Sequence, residues 1–199
     1  MRFVPFIIAI LFAPLSASAG EIREFSVPTL ERLGNELTRV SQSPDRGASD
    51  AARKRARETA AAALRGKLFD TRYDYVVLRD PDGKRLLVYA LAVAPASDQV
   101  VMSGHFRVTV SADGTNAERI DALSKSLVLS GPMKSISPKG GDAVALWMIQ
   151  IVSNTPVETL IYTSNLAKKP IYVGTPDGKM WQVGEGKMRV ARSKPANSK

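Results

Sequence analysis

The stretch Asp142 to Val152, DAVALWMIQIV, constrains this chain more than any other. Counted by twos, Ala143, Ala145, Trp147, Ile149 and Ile151 fall on one side. Val144, Leu146, Met148 and Val152 fall on the other, where Gln150 is the polar member. A strand half open to water alternates apolar with polar, so a run that is apolar on both faces is expected to be buried on both. As a helix it is too short to cross a bilayer, which takes roughly 20 apolar residues. It is therefore predicted to be the central strand of a sheet. Its second face, carrying Trp147 or Met148, is where a ligand is expected if neither helix nor sheet curvature closes it.

The first residues carry an address. Arg2 precedes the apolar run Phe3 to Phe12, and Ala17-Ser18-Ala19 supplies the small residues of a cleavage site. Residues 1–19 read as a signal peptide cut after Ala19, so the mature chain is expected to be periplasmic or secreted, with no transmembrane segment. The sequence holds no cysteine and one histidine. This excludes disulfides, thiol catalysis and cysteine metal sites, and in an exported chain it fits a bacterial periplasm. The remaining length, about 180 residues, suits one domain with a real core. We expect that domain to span 20–192, helical over 20–68 and β over 73–192, with a disordered tail at 193–199.

Within the helical part, Leu30, Leu33, Leu37 and Val40 keep helical spacing behind Ser26 or Thr29 as a cap, with Pro28 in the first turn. Gly34 costs such a helix up to about 1 kcal/mol against alanine. A turn-rich break (41–49) follows, then a helix capped by Ser49, with Asp50 in its first turn and Gly66 as its stop. Its stripe of Ala52, Ala56, Thr59 and Ala63 would lie close to a neighbour, while Arg53, Lys54, Arg57 and Arg65 gather opposite.

From Tyr73 onward the period shortens. YDYVVLR and LLVYALAV flank Asp80-Pro81-Asp82-Gly83-Lys84, a hairpin signal. In VVMSGHFRVTVS, Val100, Met102, Phe106, Val108 and Val110 take one face. Ser103, His105, Arg107, Thr109 and Ser111 take the other, which reads as wet. Residues 112–126 fit a turn followed by either a strand or a short helix, 126–130 fit a short strand, and VETLIYTS (157–164) reads as the strand returning from the central one. Pro176-Asp177-Gly178-Lys179 and Gly184-Glu185-Gly186 join the last three strands. The predicted fold class is α+β: two N-terminal helices, then a largely antiparallel, meander-like sheet of about seven to nine strands. The segment Ile171 to Val183, IYVGTPDGKMWQV, resembles one blade segment of the quinoprotein-type β-propellers. A propeller needs several blades and the unit occurs once, so the resemblance implies no function for the chain.

Charge is concentrated in two segments. Residues 46–72 carry a net charge of +5, residues 187–199 another +5, and the rest of the mature chain about −2. The basic helix could meet an anionic envelope component or an acidic protein, although a solvated face is the ordinary meaning of such a run. Alanine opposite the cations argues against membrane insertion, and the missing aromatic platform argues against nucleic acid. His105 beside Arg107 completes the candidate ligand or partner surface of Arg53, Lys54, Arg57, Arg65, His105 and Arg107. No catalytic residue, metal site or cofactor is assigned. Asp80 with Asp82, and Asp113 with Asn116, lack the further ligands of a calcium loop and read as turns. Ser124-Lys125-Ser126 lacks the serine–lysine hydrolase spacing.

These readings favour an exported, non-enzymatic binding or accessory module. The first alternative is a hydrolase built on two of Asp70, Asp74, Asp142, Glu158 and Asp177, which requires two carboxylates roughly 5 Å or 6.5–9.5 Å apart in a cleft. The second is electrostatic docking through the basic helix.

Overall fold

A computed structural model describes residues 22–131 and 145–191. The predicted signal peptide, the predicted tail at 193–199 and residues 142–144 of the apolar stretch lie outside the described residues. The fold is α+β with mostly antiparallel sheets. Helix α1 (Val27–Ser41) buries Leu30, Leu33, Leu37 and Val40, the stripe its spacing predicted. Ser26 is the N-cap residue, and Pro28 lies in the first turn, where its missing N–H costs nothing. Helix α2 (Ala51–Ala63) starts one residue later than the sequence suggested. Asp50 is the cap, accepting from the Arg53 N–H at 2.9 Å.

Strands β1 (Tyr73–Arg79), β2 (Arg85–Ala92), β4 (Phe106–Ser111) and β5 (Ala117–Ala122) form one antiparallel sheet in the order β1-β2-β4-β5. The stretch 112–126 thus resolves into a turn and a strand. Helix α2 covers one face of this sheet, packing Ala56, Ala60 and Leu64 on Val77, Leu86, Val88, Val108 and Val110. The opposite face, with Val76, Leu78, Leu87, Tyr89 and Leu91, joins α1 in a second core. That core is completed by helix α3 (Glu158–Ala167) and one face of a second sheet, ordered β10-β9-β8-β7. Its members are β7 (Leu146–Ile149), β8 (Ile171–Gly174), β9 (Met180–Gly184) and β10 (Lys187–Val190). Strands β3 (Val101–Ser103) and β6 (Val128–Leu129) pair separately. The expected single sheet of seven to nine strands is therefore three sheets, with ten strands among the described residues.

Turn chemistry is realised where the sequence placed it. Gly83 (φ 73°) and Gly178 (φ 79°) take the left-handed positions of the two Pro-Asp-Gly-Lys hairpins. Glu185 and Gly186 both have positive φ, as a two-residue turn matched to the twist of β9 and β10 requires.

Two expectations are corrected. The segment 157–164 is not a returning strand; it forms most of α3. Val157, Thr159, Ile161 and Thr163 favour a strand by their branching, but α3 is buried on most of its circumference, so it has no polar stripe to betray the helical period. Its helicity follows from topology: β7 runs parallel to β8, and parallel neighbours need a crossover. The apolar stretch is likewise not a central strand. β7 is a four-residue edge strand paired with β8 alone. Gln150 is buried because its amide ties the connection together, donating to the Ser153 and Thr155 carbonyls and accepting from the Val157 N–H at 3.0 Å.

Gly34 marks the crossing of α1 and α3. A Cβ there would lie 2.6 Å from both the Glu158 carbonyl oxygen and Ile161 Cβ. The residue that weakens α1 as an isolated helix is what lets it approach α3. Gly34→Ala is expected to lower the unfolding free energy by about 1–3 kcal/mol through overpacking, despite alanine's better helix propensity. Urea denaturation would read this; a stabilised variant would show that the helices do not touch here.

Candidate functional site

Because β7 lies at a sheet edge, it borders a cleft of about 370 Å³. One wall is β7 and its continuation, Trp147 to Ile151, with Val157 and Leu160 from the start of α3. The other is built by Met102 to His105 at the β3–β4 junction, Leu123 to Ser126 after β5, and Val128. The lining is mainly apolar. Trp147, Ile149 and Ile151 are 61%, 60% and 62% exposed, a high cost for three large apolar side chains in one run. This is the second face of the apolar stretch, left open by all three described helices.

The polar groups of the cleft are mostly occupied. Ser103 Oγ and Ser124 Oγ both donate to the Ser126 carbonyl, and Ser124 Oγ also accepts from the Gly104 N–H. Ser124 and Ser126 thus brace the loop that carries Lys125. His105 differs. Its Nδ1 accepts from the Ala92 N–H at 3.0 Å, while Nε2 is buried without a partner. A neutral ring that accepts at Nδ1 carries its hydrogen on Nε2, so that atom is a donor. Burial pushes the imidazole pKa down to about 4, which keeps the ring neutral and this tautomer in place at neutral pH.

The six residues predicted as one surface are separated by the first sheet. Arg53, Lys54, Arg57 and Arg65 belong to α2 and the turn after it, on one side. Arg53 donates to the Gly47 carbonyl at 3.1 Å and Arg57 to that of Asp45, so both fasten the preceding loop. Lys54 and Arg65 are exposed. His105 and Arg107 lie on the far side and are buried, at 2% and 0% exposure, which corrects the wet face assigned to them. What covers that face is the core containing α1, α3 and the second sheet.

Arg107 is the hub of a buried charge network. Its Nε and Nη2 donate to Asp121 Oδ2 at 3.1 and 2.8 Å, and Nη1 donates to Glu158 Oε1 at 2.7 Å. Nη2 also donates to the Arg23 carbonyl, and the guanidinium lies over the Phe25 ring at 4.7 Å. Tyr89 Oη donates to the same Glu158 oxygen at 2.8 Å. Burial alone would lower the Arg107 pKa; the charges of Glu158, Tyr89 and Asp121 outweigh it and push the pKa up. This network joins β2, β4, β5 and α3, and its groups are turned on one another.

The carboxylates weighed for hydrolysis are held in separate places. Glu158 is in this network, Asp74 pairs with Arg46 at 3.1 Å, and Asp177 is bound in its turn by Thr175 and Lys179. Asp70 is exposed beside Thr71 and Arg72, and Asp142 lies outside the described residues. Among the described residues no cluster of three or more His, Asp or Glu could hold a metal ion. Asp80 is buried against Arg23, and Asp113 is bonded to Ser111 and Thr115, each in a turn. No described helix is long and apolar enough to cross a membrane.

Comparison of the chain with protein-family models, with curated proteins and with solved structures gave no match. The site therefore rests on its own geometry. Sequence reasoning singled out His105 and Trp147 and did not place Ser124, Lys125, Val128 or Met102 in the same lining. The antiparallel pairing of β4 with β5 assembles the second wall, setting Leu123 to Ser126 beside Met102 to His105.

Proposed function

We propose that this chain is a non-enzymatic binding module, exported to the cell envelope, whose ligand site is the cleft beside β7. The observation that carries the reading is a mainly apolar cleft of about 370 Å³ whose wall is formed by the exposed Trp147, Ile149 and Ile151. Its size falls in the range of small-molecule sites, roughly 300–1,000 Å³, and such sites pair an apolar lining with a few placed polar groups. The bracing of Ser103, Ser124 and Gln150 supports binding over chemistry, because these side chains are committed to backbone. Export rests on Arg2, the Phe3 to Phe12 run and the Ala17-Ser18-Ala19 site.

The ligand on this reading is an elongated apolar molecule. A neutral fluorophore such as N-phenylnaphthylamine is expected to bind and brighten, and Trp147→Phe to reduce the accompanying tryptophan quenching to the part that Trp181 supplies. Ile149→Asp places a charge in the cleft at an exposed position, so it should leave the melting temperature near wild type and weaken binding at least about tenfold, or about 1.4 kcal/mol. Unaltered affinity in Ile149→Asp would refute the site.

A further inference from the structure

A second concavity, of about 470 Å³, lies between the end of α3 and the β9–β10 hairpin and shares no lining residue with the apolar cleft. Its lining is of the opposite kind. Lys168 and Lys169 enter from the link after α3 and Lys187 and Arg189 from β10, while Glu185 in the turn is the one carboxylate. The negative end of the α3 dipole accounts for cations at 168 and 169. It does not account for the pair on β10.

These charges are oriented more than they are neutralised. Lys187 Nζ pairs with Glu31 of α1 at 3.0 Å, but Lys168 has no carboxylate partner among the described residues. Arg189 donates from Nε and Nη2 to the neutral Gln182 Oε1 at 3.1 and 3.0 Å. That contact fixes the planar fork, keeps its full charge, and leaves the Nη1 hydrogens to an incoming acceptor. Backbone conformation is a separate sign. Lys168 (φ 51°) and Glu185 (φ 52°) are two of the three described non-glycine residues in the left-handed region. Glycine or asparagine is the usual occupant of such a helix end or tight hairpin. Side chains held there against that preference are a feature of ligand-gripping sites.

We propose that this pocket is a second ligand site, built for a doubly charged phosphate group. Arginine offers phosphate oxygens a fork and lysine offers them point charges, and both are present on opposite sides of one concavity. A neutral molecule gains nothing from this lining, and a single carboxylate leaves most of its charge uncompensated. The size suits a phosphate carrying a small organic residue. The site is independent of the cleft beside β7, and either can fail without the other.

The test is calorimetric titration of the full chain at low ionic strength with glucose 1-phosphate, with glucose, and with phosphatidate vesicles. Glucose 1-phosphate is expected to bind and glucose not to. Lys168→Gln combined with Arg189→Gln should weaken the phosphate ester at least about tenfold, as loss of charge-assisted bonds gives. Both positions are exposed, so the melting temperature should stay near wild type. Lys54→Gln combined with Arg65→Gln removes the same charge from α2 and should leave the affinity unchanged. An equal loss in that pair would reduce the effect to net charge and overturn the site. Absence of glucose 1-phosphate binding, or equal binding of glucose, would overturn the phosphate. Vesicle binding that also depends on Lys168 and Arg189 would assign the phosphate to a lipid head group, and binding of the soluble ester alone to a free phosphoester. Vesicle binding without the soluble ester would overturn the pocket.

Discussion

Arg107→Met is expected to lower the unfolding free energy by about 3–5 kcal/mol. The loss comes less from the missing bonds than from what is left behind. Asp121 and Glu158 would remain in the core, 2% and 0% exposed, with their main cation gone. A buried carboxylate without compensation is costly to keep out of water. Adding Asp121→Asn and Glu158→Gln to Arg107→Met should recover most of the loss, because a neutral set with similar volume no longer pays for desolvated charge. Urea denaturation of the three proteins at pH 7 reads both the loss and its recovery. An Arg107→Met variant within about 1 kcal/mol of wild type would show that the network is not buried as described.

The second large effect is acid destabilisation through His105. Its folded pKa is lowered to about 4, from an ordinary 6.5. Below pH 6.5 the unfolded chain takes up a proton at this position and the folded chain does not, so the stability present above 6.5 is lost as pH falls towards 4. At about 1.4 kcal/mol per pH unit, the loss between pH 7 and 4.5 is about 2–3 kcal/mol. His105→Gln can still accept from the Ala92 N–H and does not titrate. The difference between the two proteins across this window isolates the histidine, since every other titrating group is common to both. Parallel pH curves would mean that the imidazole is not desolvated in the fold.

Both effects concern residues whose role the sequence misstates, and the reason is physical. Alternation shows that His105 and Arg107 share a face with Ser103 and Thr109, and it assigns that face to water because charge in a strand is ordinarily solvated. What overturns the assignment is compensation from afar: Asp121 is 14 residues away and Glu158 is 51. The hairpins, by contrast, were legible because Pro-Asp-Gly-Lys and Glu-Gly carry their instruction within four residues. The stripe of α1 was legible because one side of that helix meets water. α3 was not, since a helix buried nearly all round has no contrast to display. β7 failed in an instructive way. An apolar outward face was read as burial against protein, and the face is open. The cleft was foreseen as a possibility of that strand, and its opposite wall depended on pairings between β4 and β5 that no local pattern announces.

Helix α1 also fastens the last hairpin. Asn35 donates to the Gly186 carbonyl at 2.9 Å, and Glu31 accepts from the Met188 N–H at 2.9 Å and from Lys187 at 3.0 Å, across about 150 residues of chain. A polypeptide emerging from its N-terminus therefore presents α1 long before the partners that fix it exist. The early half lacks its closing contacts until nearly the whole chain has been delivered, and folding should be a late event. If the chain is exported as an extended thread, as proposed above, such a delay keeps it threadable for most of the passage.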